Sequence, residues 1–277
     1  MAVKQYRPVT PGRRGMTTQD FSDVTAKKPV RSLLKVKKTS SGRNNQGRIT
    51  IRHRGGGVRR YQRNVNFKLA PDTQATVEHI EYDPNRSAHL ARLKDESGKY
   101  HYVLAGKDMK PGKKITSAEE ADIKAGNRLP LKNIPVGTTI HAIELQPGRG
   151  AQIVRAAGTS AQLTAKDELS AQIRLPSGEL RAVNVESWAT IGAIGNEQHQ
   201  NIKFGKAGRR RHMGIRPTVR GVAQNAADHP HGGGEGRGKG GSNPRTPWGK
   251  PTLGYKTRSR KASNRLIIRS RHLGKRS

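Results

Sequence analysis

The sequence predicts an all-β centre of two small barrels, flanked by two long, irregular and basic extensions. Residues 1–69 carry 18 Lys and Arg against 2 Asp and Glu, and residues 201–277 carry 20 against 2. The 131 residues between them carry 16 of each sign and are neutral. Short strand-like segments recur roughly every ten residues in this neutral centre, which is typical of small β-barrels. Glycine and proline interrupt both flanks, which argues against long helices there.

The first extension, residues 1–69, is predicted to be irregular until the chain enters the first barrel, apart from a short element at residues 33–36. Glycines and prolines break residues 10–57 at short intervals. From Ile49 to Phe67 apolar and basic residues interleave, which indicates the beginning of the folded centre.

Residues 70–125 are predicted to form the first barrel. Tyr100, Tyr102 and Leu104 fall on one face of a strand, as expected when only one face is buried. Acidic residues within 117–125 favour a short helix there. The predicted strands are residues 75–82, 88–94, 99–104 and 113–116.

Residues 126–200 are predicted to form the second barrel. The turn Pro176-Ser177-Gly178 predicts a hairpin between the last two strands. Each barrel is close to the lower size limit for independent folding, so we expect packing against each other or against a partner. The predicted strands are residues 138–145, 152–156, 161–165, 171–175 and 180–185.

The charge distribution predicts a polyanionic partner for both extensions, the second of which is residues 201–277. Lys and Arg side chains that neutralise phosphates release condensed counterions, and this effect dominates affinity for nucleic acids. A membrane surface is not favoured, because neither extension offers an amphipathic helix with a broad apolar face. No apolar run approaches the roughly 18 residues of a membrane span. The beginning of the sequence lacks the apolar core of a signal peptide.

Arginines surround three consecutive glycines between Arg52 and Arg60. Glycine lets backbone N–H groups approach phosphates closely, and the planar fork of arginine can grip two phosphate oxygens. This segment is therefore predicted to contact phosphate. A flexible, solvated basic linker is the alternative.

The glycine-rich segment of the second extension resembles a phosphate-binding loop only in part. Gly233 to Lys239 has the spacing of that loop, but Gly240 stands where a Ser or Thr should hold Mg²⁺. No apolar strand precedes the segment. A nucleotide-hydrolysing function is therefore not predicted.

Three histidines of the second extension raise the question of metal binding or catalysis. His212, His229 and His231 have no cysteine partner anywhere in the chain, so no metal site is predicted. His229 could act as a general base beside Asp228, but the side chains of adjacent residues diverge. His229 is therefore only a weak catalytic candidate. Hydrogen bonds from imidazolium groups to phosphate oxygens are the simpler interpretation.

Aromatic side chains are few, so recognition is expected to rest on phosphates, sugar hydroxyls and the shape of a folded RNA. Trp248 is the best candidate for stacking on a base. A local packing role is the alternative for its indole ring.

Several motifs occur in the order of one known family across essentially the whole length. They are Gly47-Arg48, Arg52-His53, Gly55-Gly56-Gly57, Glu81-Tyr82-Asp83-Pro84-Asn85-Arg86-Ser87-Ala88, Asn133-Ile134-Pro135-Val136-Gly137, Arg216-Pro217-Thr218-Val219-Arg220-Gly221, Asp228-His229-Pro230-His231-Gly232-Gly233-Gly234-Glu235-Gly236-Arg237 and Lys256-Thr257-Arg258. On these residues the chain resembles the family of the second protein of the large ribosomal subunit, in its bacterial form.

The resemblance implies an OB-fold barrel over residues 70–125 and an SH3-like barrel over 126–200, with the two extensions around them. It implies primary binding to large-subunit ribosomal RNA, a bridge to small-subunit ribosomal RNA, and neighbouring ribosomal proteins in a cytoplasmic ribosome. It implies no cofactor of its own and no small-molecule substrate, with Mg²⁺ accompanying the bound RNA.

The resemblance also places the family's loop histidine at His229, near the peptidyl-transferase region. A catalytic part has been suggested for that histidine, but a glycine-rich loop holds a side chain too loosely for acid–base work unless RNA fixes it. The family commonly has Asn-Pro before this loop, and this chain has Asn225-Ala226, which frees one φ angle.

We therefore predict a structural RNA-binding protein that is not an enzyme. Two alternatives stay open, a free protein that binds single-stranded nucleic acid through the first barrel and a peptidyl transferase with His229 as base. The predicted RNA-binding residues are Arg48, Arg52, His53, Arg54, Gly55, Gly56, Gly57, Arg59, Arg60, Arg86, Lys206, Arg209, Arg210, Arg211, Arg216, Arg220, His229, His231, Arg237, Lys256, Arg258 and Arg260.

Overall fold

The computed structural model describes residues 3–234, 243–259 and 261–271. Most of the regular structure is β-strand, which confirms the mostly-β prediction. The strands are β1 (Val3–Gln5), β2 (Thr17–Gln19), β3 (Leu34–Val36), β4 (Tyr61–Arg63), β5 (Thr73–Glu81), β6 (Leu90–Asp95), β7 (Tyr100–Leu104), β8 (Lys114–Ser117), β9 (Arg128–Pro130), β10 (Thr139–His141), β11 (Ala161–Lys166), β12 (Ser170–Arg174), β13 (Leu180–Asn184), β14 (Trp188–Ile191) and β15 (Ile267–Arg269). The helices are α1 (Pro11–Arg14) and α2 (Ala207–His212), with 3-10 turns at Arg31–Leu33, Leu131–Asn133, Glu197–Asn201, Gly221–Ala223 and Ala262–Leu266.

Contacts divide the chain into two compact units, which we call unit 1 and unit 2. Unit 1 comprises Met1–Lys38, Arg59–Lys206 and Arg265–Ser277. Unit 2 comprises Thr39–Val58 and Ala207–Asn264.

One large sheet organises unit 1. Across the described residues its strand order is β15–β13–β12–β11–β10–β14–β9–β8–β5–β6–β7. Neighbouring strands are antiparallel except β8 and β9, which share the parallel pair Ser117 and Arg128. This short contact joins a first half of the sheet, β5 to β8, to a second half, β9 to β14.

Each half of the sheet has its own hydrophobic core. Val77 and Leu93 are fully buried in the first core, and Leu163 and Ile173 are fully buried in the second. A third cluster, which includes Tyr102, combines buried residues of both halves. Burial of apolar side chains is thus the main stabilising contribution in unit 1.

A buried ion pair lies where the two halves meet. A guanidinium nitrogen of Arg128 lies 2.6 Å from a carboxylate oxygen of Glu144, and both side chains are buried. A second nitrogen of Arg128 donates to the carbonyl of Leu69 at 3.1 Å, and Glu144 also accepts from the backbone N–H of Gly150 at 2.9 Å. Burial lowers the pKa of Arg128, and Glu144 opposes that shift. Through these contacts Arg128 links β9 to Leu69, which precedes β5, and to Glu144, which follows β10.

The helix predicted within residues 117–125 is wrong. The carbonyl of Glu119 accepts a hydrogen bond from the side chain of Asn133 at 2.7 Å. The carbonyl of Asp122 accepts one from the side chain of Asn127 at 3.0 Å. Side-chain amides thus satisfy carbonyls that a helix would pair with backbone N–H groups.

The strand predicted at residues 152–156 is also wrong. It is reduced to an isolated bridge between Ile143 and Ile153. Ala142 has a φ of 48° and Val154 a φ of 54°, both in the left-handed region that strands avoid. The same break ends β10 earlier than predicted.

The extensions contain more regular structure than the single short element that the sequence predicts at residues 33–36. β1 pairs with β2, and β3 pairs with β4, each in a two-stranded antiparallel sheet. The backbone N–H of Val30 donates to the hydroxyl of Tyr102 at 2.9 Å, and that hydroxyl donates to Glu81 at 2.7 Å. Burial raises the pKa of Glu81. Part of the first extension is therefore anchored to the first half of the sheet.

Candidate nucleic-acid interface

Unit 2 is strongly cationic and lacks a hydrophobic core in its described residues. Its two segments hold 17 Lys and Arg against 2 Asp and Glu. No apolar side chain among its described residues is buried. A segment that buries none of its apolar side chains gains little hydrophobic stabilisation, so its charge and exposed apolar groups indicate a covering, anionic partner. The exposed large apolar residues of unit 2 are Ile49, Ile51, Val58, Met213, Val219, Val222, Trp248, Leu253 and Tyr255.

Backbone hydrogen bonds join the two segments of unit 2, which are far apart in sequence. The N–H of Gly55 donates to the carbonyl of Gly214 at 3.0 Å, and the N–H of Arg216 donates to the carbonyl of His53 at 3.0 Å. The N–H of Gly55 is therefore engaged within the chain, whereas the sequence predicted that it would face phosphate. This pairing brings the basic segment around Arg52 together with the basic segment that follows α2.

Close backbone approach explains two of the glycines in unit 2. A Cβ atom on Gly57 would lie 2.7 Å from the backbone nitrogen of Gly214, and the φ of Gly57 is 96°. A Cβ atom on Gly42 would collide with the carbonyl oxygen of Ile51. A Cβ atom on Gly56, by contrast, would have no neighbouring atom within 4 Å. Gly57 and Gly42 are thus required because two backbone segments of unit 2 lie close together there, whereas a methyl group at Gly56 would point into open space.

The short helix α2 places three arginines in succession at the start of the second segment. The helix ends because Gly214 takes a left-handed φ of 83° and donates its N–H to the carbonyl of Arg211 at 3.0 Å. Arg210 and Arg211 are exposed, and Arg209 is half-buried.

Most predicted cations of unit 2 are exposed and lack a carboxylate partner within the described ranges. Such side chains are available to neutralise phosphates. Arg258 is exposed and hydrogen-bonds Asn264 at 2.9 Å and Ser263 at 3.0 Å, which leaves its charge uncompensated. Within the described ranges, the predicted cations of unit 2 that are exposed and form no ion pair are Arg48, Arg52, Arg54, Arg210, Arg211, Arg216, Arg220, Lys256 and Arg258.

Two predicted arginines of unit 1 have internal partners instead. Arg86 lies 2.8 Å from the fully buried carboxylate of Asp83 and stacks over the ring of Phe67 at 5.6 Å. Arg60 is half-buried and donates to the carbonyl of Pro84 at 3.0 Å. Structural pairing therefore accounts for both side chains within the chain. Of the other predicted residues, Arg59 and Lys206 are exposed in unit 1, and Arg237 and Arg260 lie outside the described residues.

Four exposed cations of unit 2 were missed by motif reasoning. Arg43, Arg245, Lys250 and Lys261 lie in unit 2 with the predicted set. None of them belongs to a recognised motif, but each stands in the same basic, glycine- and proline-rich context. Local charge density was the signal that could have found them.

His229 and His231 form an ordered turn rather than a free loop. The ring nitrogen Nδ1 of His229 accepts the backbone N–H of His231 at 3.0 Å. The ring nitrogen Nε2 of His231 accepts the backbone N–H of Arg245 at 2.8 Å. The two rings meet edge to face, with centroids 5.1 Å apart. The ring of His229 also packs on Gly221, where a Cβ atom would collide with the ring.

A catalytic arrangement around His229 is not present in the described part of the chain. No carboxylate there hydrogen-bonds the ring, and its Nδ1 is already occupied. No group of three His, Cys, Asp or Glu side chains within residues 3–234, 243–259 and 261–271 has the geometry to hold a metal ion. Among the same residues no helix is long and apolar enough to span a bilayer.

Comparison with known proteins identifies the family. A family model described as "Ribosomal Proteins L2, RNA binding N-terminal domain" matches residues 30–117. A second, described as "Ribosomal Proteins L2, C-terminal domain", matches residues 124–249. The large ribosomal subunit protein uL2 of Paracoccus denitrificans (strain Pd 1222) is 53% identical over 276 residues, which cover 99% of each chain. The chain belongs to the ribosomal protein L2 family.

The L2 models cover both parts of the molecule. The N-terminal model includes the first half of the sheet together with Thr39–Val58 of unit 2. The C-terminal model includes the second half of the sheet, α2 and the His229 turn. L2 is a family of ribosomal proteins and not an enzyme family, which agrees with the prediction of a non-enzymatic protein.

The L2 turn contains the one departure noted from the sequence, Ala226. The carbonyl of Asn225 accepts N–H groups of Asp228 and His229, and the side-chain oxygen of Asn225 accepts the N–H of Ala227. A Cβ atom on Gly233 would lie 3.0 Å from the methyl group of Ala226. Asn225 therefore organises this turn without a proline after it.

Proposed function

We propose that this chain is a structural, RNA-binding constituent of the large ribosomal subunit, within cytoplasmic ribosomes. The observation that carries the proposal is unit 2, which has 17 Lys and Arg and exposed apolar side chains but no hydrophobic core among its described residues. Ribosomal RNA supplies both the phosphates for these cations and the base and sugar surfaces for the apolar groups. The relative's designation as large ribosomal subunit protein uL2 supports the same role.

The finer parts of this role follow from the family resemblance. Unit 1 acts as the scaffold, and unit 2 carries most of the phosphate contacts. Neighbouring ribosomal proteins are further partners. The protein supports subunit association through a bridge to small-subunit ribosomal RNA, and it also lies near the peptidyl-transferase region. Mg²⁺ accompanies the bound RNA and is not a cofactor of the protein.

A charge-neutralisation experiment tests the division between the units. In the full chain, Arg52, Arg54, Arg210 and Arg211 are changed to Gln. Binding to in vitro transcribed large-subunit ribosomal RNA is measured by filter binding from low to high salt. We expect affinity to fall by at least a hundredfold and the salt dependence to become shallower, by about one unit of log–log slope for each lost phosphate contact.

The matched control neutralises four exposed lysines of unit 1, Lys94, Lys99, Lys110 and Lys114. We expect a much smaller loss from that variant. Equal losses from the two variants would contradict the assignment of phosphate contacts to unit 2. Binding without preference for ribosomal RNA would contradict the ribosomal role, and ultraviolet crosslinks confined to messenger RNA would favour the free single-stranded nucleic-acid-binding alternative.

A pair of His229 variants separates a structural from a catalytic role. Asn places its side-chain oxygen close to the Nδ1 position and can still accept the N–H of His231, whereas Gln reaches the Nε2 position instead. We expect ribosomal particles with His229→Asn to form peptide bonds at nearly the normal rate. We expect His229→Gln to lower activity mainly by impairing assembly of the particles. Loss of several orders of magnitude in both variants, in fully assembled particles, would restore the catalytic alternative.

A further inference from the structure

A tight hairpin in unit 2 carries Trp248 at its turn. The N–H of Gly249 donates to the carbonyl of Thr246 at 2.9 Å, and the N–H of Thr246 donates to the carbonyl of Lys250 at 2.8 Å. Pro247 presets φ at the second position of the turn, and Gly249 takes a left-handed φ of 79°. This is the pattern of a type I turn followed by a glycine bulge. Trp248 therefore occupies the third turn position, at the tip.

The base of this hairpin is held at two points. The N–H and the hydroxyl of Thr252 both donate to the carbonyl of Pro244, at 3.0 and 3.1 Å. The N–H of Arg245 donates to Nε2 of His231 at 2.8 Å. The hairpin is thus fastened to the His229 turn, and the backbone beneath the Trp248 ring is fixed before any partner binds.

The indole ring of Trp248 is not a packing element of the chain. Its residue is 75% exposed, among the most exposed large apolar residues in the described ranges. The packing role considered from the sequence is therefore wrong. Arg245 and Lys250, on the two strands of the same hairpin, are also exposed.

An exposed indole on a fixed turn, flanked by cations, matches the chemistry of an unstacked nucleobase. The ring offers a large flat apolar face, and the cations attract the phosphates on either side of the base. Stacking requires no sequence-specific hydrogen bond, since every base has a π face. Fixing the hairpin in advance lowers the entropy lost on binding.

We propose that Trp248 stacks on a single unpaired base of large-subunit ribosomal RNA, with Arg245 and Lys250 on the flanking phosphates. This inference rests on the proposed function and adds a base contact to an interface that is otherwise built on phosphates. Few aromatic side chains in the chain are placed in this way, so the base stack is a local feature.

Fluorescence can test the stack directly because the chain has two tryptophans. The full-length variant Trp188→Phe leaves Trp248 as its sole indole. Large-subunit ribosomal RNA transcribed in vitro is added at saturating concentration, and binding is followed separately by filter retention. We expect the Trp248 emission to fall severalfold and its quenching by acrylamide to be suppressed in the complex.

A second design covers the case in which Trp188→Phe does not fold, since Trp188 is half-buried beside Arg128. The RNA-dependent change in emission of the wild-type chain is then compared with that of Trp248→Phe. The difference between the two signals reports Trp248 alone, and we expect most of the emission change to vanish in the variant.

Affinity provides an independent readout with a matched control. Trp248→Leu is expected to weaken RNA binding roughly tenfold without changing the salt dependence, because the lost contact carries no charge. Trp248→Tyr should retain most of the affinity. Leu253→Ala, which truncates an equally exposed residue of unit 2, should change affinity less than twofold.

The outcomes separate this inference from the proposed function. If the RNA binds normally while Trp248 emission and acrylamide access stay unchanged, the stack is refuted and the RNA-binding role stands. If Trp248 is shielded only when other ribosomal proteins are added, its partner is protein and the stack is again refuted. If no ribosomal RNA binds at all, the proposed function fails as well.

Discussion

Unit 1 and unit 2 achieve order by opposite means. Among the described residues, every buried hydrophobic side chain lies in unit 1, whose 37 Lys and Arg are accompanied by 18 Asp and Glu. Unit 2 has almost no counter-charge and holds its two segments together by backbone hydrogen bonds and glycine contacts. The difference shows that one part of the chain carries its own stabilisation, while the other has a surface complementary to a polyanion.

The largest effect on stability is expected at the buried ion pair of unit 1. Glu144→Gln leaves the charge of Arg128 buried without a counter-charge, which should cost about 3–5 kcal/mol of the free energy of unfolding. Urea denaturation of the RNA-free chain, followed by circular dichroism, measures this. The double variant Arg128→Met with Glu144→Gln should be more stable than Glu144→Gln alone. If the double variant is no more stable than Glu144→Gln, Glu144 does not compensate a buried charge on Arg128.

A truncation pair tests the comparison of the two units directly. Leu163→Ala removes a fully buried side chain from the second core of unit 1 and should cost about 2–5 kcal/mol. Leu253→Ala makes the same change at an exposed site of unit 2 and should stay within about 0.5 kcal/mol. Urea denaturation of both variants provides the measurement. Similar losses would mean that unit 2 has a hydrophobic core after all.

Acid should destabilise unit 1 through a buried histidine. Burial lowers the pKa of His141 to about 4, against a normal value of 6.5, and its Nδ1 donates to the carbonyl of Gly192 at 2.8 Å. The folded state therefore favours the neutral ring. This preference for the neutral ring contributes fully to the free energy of unfolding above pH 6.5. The contribution is lost as the pH falls from about 6.5 towards 4, and the loss is at most about 3 kcal/mol.

His141→Asn isolates this contribution, because Asn keeps a donor near the Nδ1 position and does not titrate. Burial also lowers the pKa of His89, so the wild-type pH dependence has more than one source. The difference between the unfolding curves of the two proteins at pH 7 and pH 5 reports His141. Parallel curves across that range would contradict the assignment.

Sequence reasoning worked best where structure is local. The alternation at Tyr100, Tyr102 and Leu104 predicted β7 to within one residue of its ends, and the turn at residues 176–178 predicted the hairpin of β12 and β13. Both signals come from neighbouring residues. Charge counting likewise located the cationic segments, since it needs no knowledge of contacts.

The failures at β9 and in unit 2 depend on partners outside the local segment. β9 was missed because Arg128 and Glu144 are polar residues that become buried only as a pair, which no hydrophobic periodicity reveals. The pairing of Gly55 with Gly214 was missed because glycine gives no periodic signal and its partner is far along the chain. The assignment of Arg86 to RNA stays a prediction, and motif reasoning did not reveal its ion pair with Asp83, three residues earlier.

The smallest effect, and the one most specific to unit 2, is expected at Gly57. In Gly57→Ala the new methyl group would collide with the backbone of Gly214, so the two segments of unit 2 must separate locally. Gly56→Ala introduces the same methyl group at another positive φ, but into open space. We expect Gly57→Ala to accelerate limited proteolysis within Thr39–Val58 and to weaken RNA binding several times more than Gly56→Ala.

Urea unfolding of unit 1 should be unchanged within about 0.5 kcal/mol in both variants, because neither touches a buried apolar side chain. A loss of global stability in Gly57→Ala alone would mean that the two units fold as one, and the contrast between them would then describe only where the hydrophobic residues lie.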